Sequence, residues 1–322
     1  MKFPFSFGTK LIFRLVLPGA LLAAAMAPLV HAIMHALGIH IRLQYAFPFE
    51  AIAWGWAIVT CDMFIYMLFE GRRYWPQWLR ELMIGREKAR LARLTSIVEG
   101  PETGRRYLEA SVDYALFPVD DGGDPYVEHP TRLGNLIESF EMYPSVKYGL
   151  DAVFYWPRLW LALDKDLREE IDNAQSMVDS TVYISFVLYL SGLILFAYAA
   201  IGMIPHIDCL SWLPEFRLPY VPSPAALLLL GALCFPCGYL LYRMSLPAHA
   251  QFGELFKAAF DQLRSKLDFD DVLKEVGRLR GSPYVSVTPR EKNRIVWRYL
   301  RWHRIRDDTT GANFKVKDWP RP

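Results

Sequence analysis

The sequence contains little of what defines a secreted or a nucleic-acid-binding protein. Its 322 residues include four cysteines, three of them in or near apolar stretches, so no disulfide framework is expected. The 36 basic and 34 acidic residues leave a formal charge of +2, which creates no strong single-sign field for attracting nucleic acid. We also find no internal repeat and no low-complexity segment.

Long hydrophobic runs are what the chain does have. Hydrophobic residues make up 53% of it, and they are concentrated in a few stretches that alternate with charged segments. A bilayer core is crossed by about 20 apolar residues, and only as a helix that satisfies its own backbone hydrogen bonds. Four stretches predict such transmembrane helices: 11–37, 51–69, 182–204 and 225–241. The first resembles a signal peptide, but its apolar run continues past the small residues, so we expect it to be retained.

The positions of arginine and lysine predict how these helices are threaded. The links after the first and third spans carry only Arg42 and Arg217, whereas the segments after the second and fourth spans are rich in basic residues. We therefore expect a bacterial inner-membrane protein with both termini on the cytoplasmic side. The predicted fold class is an all-α membrane protein, with four transmembrane helices and a mainly helical cytoplasmic module. The expected divisions of the chain are 1–70, 71–181, 182–243 and 244–322.

The segment between the second and third spans is expected to be partly helical. An amphipathic helix with a basic face is predicted over 74–98, and it suits either the inner leaflet or packing within the module. Residues 100–130 are expected to be extended or irregular, with the aspartates of 120–124 in a solvated turn rather than a cation site. Thr131 can cap a helix that Pro144 is expected to stop, and Asp164 can cap the helix leading into the third span.

Three motifs lie close together in the same segment: Pro130-Thr131-Arg132-Leu133-Gly134-Asn135, Tyr148-Gly149-Leu150-Asp151 and Trp156-Pro157-Arg158-Leu159. They resemble the central loop of a group of uncharacterised bacterial multi-pass membrane proteins. The resemblance covers about 114–160 and the flanking spans, and it implies the topology above without any chemistry. Candidate site residues in this loop are Arg132, Asn135, Glu138, Glu141, Asp151 and Arg158.

Two of these candidates could act together in catalysis. Glu138 and Glu141 are three residues apart on one helix face, close to Arg132 if the helix begins early. Paired carboxylates can perform acid/base chemistry, but solvated or salt-bridged helix charges explain the same residues and are favoured. We predict no catalytic residue, no metal site and no cofactor.

Asp62 is the most pointed functional signal, because a carboxylate inside a membrane span is costly unless it is neutral, paired or beside water. Its possible partners are Arg14, His31 and His35. A polar contact between helices is the favoured interpretation, and a role in ion, proton or substrate handling is the alternative.

Cys234 and Cys237 form a Cys-x-x-Cys in the fourth span, as in four-helix membrane thiol oxidoreductases. The external link offers only Cys209, so the second dithiol of that chemistry is missing. Small apolar packing is therefore favoured for this pair.

Two further helices are predicted after the fourth span. Apolar residues from Phe252 to Leu267 recur at helical spacing, and this stripe must pack on the central loop or on a second copy of the chain. Thr288 and Glu291 form a capping box before a basic, aromatic helix, for which surface or packing roles are favoured over nucleic-acid binding.

Taken alone, the sequence predicts a membrane protein whose cytoplasmic module binds a protein partner or another subunit. The alternative is an oligomeric pore or conduit that uses Asp62, and the third hypothesis is a membrane thiol oxidoreductase.

Overall fold

The computed structural model describes residues 12–39, 41–203, 222–280 and 288–303. Within these ranges the chain is helical, with no strand beyond a single β-bridge between Val119 and Pro125. A short π-helical turn, Ile12–Val16, precedes the first α-helix. The α-helices are α1 Leu17–Ala36, α2 Leu43–Thr60, α3 Asp62–Glu70, α4 Gln77–Val98, α5 Arg105–Tyr114, α6 Arg132–Tyr148, α7 Ala152–Ala162, α8 Lys165–Met203, α9 Pro224–Leu263, α10 Asp270–Arg280 and α11 Pro289–Trp302.

The described residues contain three to four candidate membrane spans. Three helical stretches are long and apolar enough to cross a bilayer: Ile12–Ala36, Lys165–Met203 and Pro224–Lys266. The fourth candidate is the pair α2 and α3, which are bent by 58° at Cys61. The expectation of one uninterrupted helix over 51–69 is therefore wrong. The Thr60 hydroxyl donates to the Trp56 carbonyl (2.8 Å), a bond that bends helices, and a hydropathy profile does not register it.

The chain folds as two units, and each is described by itself. The first comprises Met1–Tyr66 with Asp172–Ala248, and the second comprises Met67–Ile171 with His249–Pro322. The predicted continuation of one helix from a charged segment into the third span is confirmed by α8, which runs unbroken through 39 residues. The Asp164 carboxylate caps it by accepting from the Leu167 amide (2.8 Å).

In the first unit, glycines bring pairs of helices into close backbone contact. A Cβ on Gly19 of α1 would lie 2.0 Å from the Ala51 carbonyl oxygen of α2, and a Cβ on Gly55 would lie 2.2 Å from the Leu15 carbonyl oxygen. Gly192 of α8 and Gly231 of α9 also face each other, and a Cβ on either one would lie 3.1 Å from the carbonyl oxygen of the other. Small residues at such contacts are how apolar helices associate in lipid.

In the second unit, the apolar stripe of α9 packs on the central segment, so the intramolecular alternative predicted for it is the observed one. Phe256 contacts Trp156 of α7 (ring centroids 4.5 Å apart) and Phe140 of α6 (5.4 Å). The predicted capping box of α11 is also confirmed, with the Thr288 hydroxyl and the Glu291 carboxylate each accepting from the other's backbone.

Two local expectations for this unit are wrong. Ten of the residues expected to be irregular form α5, whose Ala110 packs with Leu94 and Phe117 in a small core. Pro144 does not stop α6, which continues to Tyr148. Phe140 and Ser145, on either side of the proline, are both buried, and this packing offsets the loss of one backbone donor.

We predict that Gly55→Ala lowers the thermal midpoint (Tm) of the detergent-solubilised chain, because overpacking of this kind costs about 1–3 kcal/mol. Gly85→Ala is the matched control, since a Cβ there meets nothing within 4 Å and alanine favours a helix interior. Equal Tm values for the two variants would contradict the close contact of α1 with α2.

Candidate functional site

The largest buried charge cluster of the second unit surrounds Arg72, just after the end of α3. Its guanidinium contacts the carboxylates of Glu70 (2.5 Å), Glu141 (2.7 Å) and Glu138 (3.4 Å). The His129 Nε2 lies 3.2 Å from the same Glu138 carboxylate. Three carboxylates thus share one guanidinium, and these five side chains form what we call the Arg72 cluster.

Burial and mutual charge perturb the titration of this cluster. Burial raises the pKa of Glu141, and the neighbouring Glu138 adds to that rise while Arg72 opposes it. For Arg72 itself, burial favours the neutral form, but the carboxylates of Glu141 and Glu70 outweigh it and raise its pKa above the ordinary arginine value. The cluster therefore keeps Arg72 charged as the counter-ion of its carboxylates.

The first motif builds the frame of the Arg72 cluster. The Thr131 hydroxyl caps α6 by accepting from the Gly134 amide (2.9 Å), as predicted, and donates to the Glu70 carbonyl (3.0 Å). The Asn135 side chain accepts from the His129 amide (2.9 Å) and donates to the His129 carbonyl (2.9 Å). With 2% of its surface exposed, Asn135 is fully occupied in holding the turn before α6.

Close backbone contact explains two glycines at the same place. Gly71 has a φ of +73°, and a Cβ on it would lie 2.2 Å from the Pro130 ring. A Cβ on Gly134 would lie 2.3 Å from the Glu70 carbonyl oxygen. The sequence Glu70-Gly71-Arg72 is thus the docking partner of the first motif, and it is absent from the set of residues that sequence reasoning selected.

Glu138 and Glu141 pair with Arg72. Arg132 instead lies 3.9 Å from Glu87 of α4, a carboxylate that also pairs with Arg90 (3.3 Å). The reason is the direction of the side chains: Glu138 and Glu141 point to Arg72, whose position depends on the turn after α3 rather than on helix spacing.

The other two motifs also make structural contacts. The Asp151 carboxylate caps α7 by accepting from the Phe154 amide (2.7 Å), and it lies 3.7 Å from Arg301 of α11. Burial raises the pKa of Asp151. The Arg158 guanidinium stacks 3.7 Å from the Phe154 ring centroid and donates to the Phe154 carbonyl (2.6 Å). The Asn293 amide of α11 donates to the Tyr148 carbonyl (2.9 Å), which joins the second motif to the C-terminal helix.

A second polar cluster lies in the first unit, among three apolar stretches. The Tyr183 hydroxyl of α8 donates to the Asp62 carboxylate (2.6 Å), at the bend between α2 and α3. The Asp179 carboxylate, 2% exposed, pairs with Arg14 (3.0 Å) and accepts from the Tyr66 hydroxyl (2.7 Å). We call these five residues the Asp62 cluster.

The partners expected for Asp62 were therefore wrong in part. Arg14 belongs to the same cluster, but its carboxylate partner is Asp179, a residue that the sequence analysis missed because it lies just before the apolar run. His31 is within electrostatic range of Glu50, which was also missed. His35 lies in the last turn of α1 and is exposed.

The Cys-x-x-Cys of the sequence lies in α9. Cys234 and Cys237 are free thiols, and the Cys234 side chain packs beside Gly192 of α8. Cys209, with the rest of the segment 204–221, lies outside the described residues. Among the residues described, no three His, Cys, Asp or Glu side chains are arranged to hold a metal ion.

Searches of protein-family models, of curated proteins and of solved structures give no significant match to this chain.

We predict that Arg72→Gln lowers the Tm strongly, because removing one partner of a buried ion pair leaves the other charges uncompensated at a cost of about 3 kcal/mol. Arg105→Gln is the matched control, since the Arg105–Glu109 pair is exposed and contributes little. Equal Tm values for the two variants would show that the Arg72 cluster does not stabilise the second unit.

Proposed function

We propose that this protein is a multi-pass protein of the bacterial inner membrane, with both termini and the second unit on the cytoplasmic side, and that this unit binds a protein partner or a second copy of the chain. We also propose that it belongs with the group whose central loop its motifs resemble. In support, all three motifs make contacts inside the second unit.

The observation that carries the proposal is an uncovered apolar row on α7. Val153 and Leu161 are 62% and 78% exposed, and Pro157 lies between them at the same helical spacing. The opposite face of α7 is fully buried through Tyr155 and Leu159. A helix that is apolar on both faces is normally covered on both, so we expect the exposed row to bind a partner.

The position of α7 in the chain favours protein over lipid as the covering surface. The charged first part of α8 follows α7, and it provides about 25 Å of helix before the apolar stretch that begins near Val182. The apolar stripe of α9, which was the other predicted packing surface, is already paired, because it packs on α6 and α7.

We predict that Leu161→Ser weakens association of the full-length chain by about tenfold or more, since burying a leucine side chain is worth about 1.5–3 kcal/mol. Self-association is measured by mass photometry in nanodiscs, and partner binding by photocrosslinking from position 161 in cells. Leu108→Ser, at a 63% exposed leucine of α5, is the control. A chain that stays monomeric and forms no crosslink from position 161 would refute the proposal.

A second candidate function is proton or cation movement that uses Asp62, and the bend at Cys61 favours it. Broken helices in membrane proteins occur where the opened backbone or a polar side chain lines a site. Because Asp62 accepts from Tyr183 within its own bundle, such a site would lie inside one chain rather than on the axis of an oligomer.

For this candidate we expect flux into liposomes that contain the purified chain, and its loss in Asp62→Asn but not in Tyr183→Phe. A purely structural contact predicts something different: no flux for the unmodified chain, and a similar fall in Tm for both variants. Glu109→Gln, at an exposed carboxylate of the second unit, controls for general effects on reconstitution.

A further inference from the structure

The N-terminal half of α4 presents a surface that neither cluster uses. Trp78 (68%) and Leu82 (51%) lie four residues apart on it and are largely exposed, and Tyr74 (59%), in the turn before α4, is exposed as well. The C-terminal half of the same helix is different, because Leu94 is buried against α5. Only the half next to α3 leaves its apolar row uncovered.

Backbone contacts hold this half of α4 close to the end of an apolar helix. The Arg73 amide donates to the Met67 carbonyl (3.2 Å), and the Trp75 indole donates to the Leu68 carbonyl (2.8 Å). The chain therefore turns back directly at the end of α3, and the link 71–76 can span at most about 20 Å. Trp78 is thus within reach of a surface at the end of α3.

The apolar row is flanked by three arginines and by one exposed carboxylate, Glu81, which accepts from the Gln77 side chain (2.9 Å). Among the described residues, no carboxylate forms an ion pair with Arg73, Arg80 or Arg86, whereas Arg72 and Arg90 of the same stretch are bound to carboxylates within the unit. Exposed aromatics next to unpaired arginines are the composition of a helix that lies in the headgroup layer, where each basic residue gains about 1 kcal/mol from anionic lipid.

We propose that the first half of α4 is an anionic-lipid-binding surface: Trp78 and Leu82 enter the headgroup and acyl boundary, and Arg73 and Arg86 bind lipid phosphates. The inference does not rest on the partner-binding function, since it concerns another face of the second unit. It also holds for either threading of the chain.

The test uses the full chain in nanodiscs, with its four native cysteines replaced by alanine. Leu82→Cys carries an environment-sensitive fluorophore, and Ser96→Cys, exposed at the far end of α4, carries it as the positional control. Discs made of phosphatidylcholine alone are compared with discs that also contain phosphatidylglycerol. We expect blue-shifted emission, protected from acrylamide, only for position 82 and only in the anionic discs.

Charge variants then identify the ligand. Combining Arg73→Gln with Arg86→Gln should reduce the buried fraction at position 82 by about fivefold for each arginine removed. The matched control combines Arg105→Gln with Arg106→Gln, whose arginines are paired on α5, and should leave the fraction unchanged.

Three outcomes would overturn the proposal. The probe at position 82 could remain in water in both lipid compositions, or it could be equally buried in both, which would mean that anionic headgroups are not recognised. Burial only in discs that hold two chains would assign the surface to a second copy instead.

Discussion

Pairing of charge within the chain is the constraint on which both units depend. Apolar helices cannot leave a charged group unpaired in hydrocarbon, and the structure pairs such groups near helix ends and bends. The Asp179 carboxylate forms an ion pair with Arg14 and accepts a hydrogen bond from Tyr66, and the Asp62 carboxylate accepts a hydrogen bond from Tyr183. In the second unit, Arg72 forms ion pairs with the three carboxylates around it. Each cluster joins helices that are distant in sequence, so it fixes which helices are neighbours as well as where the charges lie.

The three motifs make contacts that hold this architecture together. Thr131 and Asp151 cap helices, Asn135 holds a turn, and Arg158 is stacked on Phe154. Tight, buried turns accept few residue types at each position. This requirement is sufficient to explain why the motifs have a distinctive sequence. Among the open surfaces of the second unit are two apolar rows, one on α7 and one on the first half of α4. These surfaces, rather than the motifs, are where we expect the protein to meet other molecules.

Local signals in the sequence predicted much of the fold, whereas long-range contacts could not be predicted. Hydropathy located the apolar stretches, and the caps at Thr131, Asp164 and Thr288 marked true helix starts. The break at Cys61 was missed because no glycine or proline marks it, and α5 was missed because flanking glycines and prolines dominate its surroundings. Arg72 and Asp179 were missed as site residues because their importance comes from partners far along the chain. Asp62 was found because a carboxylate in an apolar run is conspicuous by itself.

The central claim is that apolar helices thread the chain through a bilayer with the second unit on the cytoplasmic side. Labelling of intact cells with a membrane-impermeant maleimide tests it most directly, using single cysteines in an otherwise cysteine-free chain. Ile39→Cys lies in the short link between α1 and α2, and Thr103→Cys lies in the exposed turn between α4 and α5. We predict that only Ile39→Cys reacts from outside, while Thr103→Cys reacts only after the membrane is permeabilised. Reaction of Thr103→Cys in intact cells would contradict the threading and the placement of the second unit.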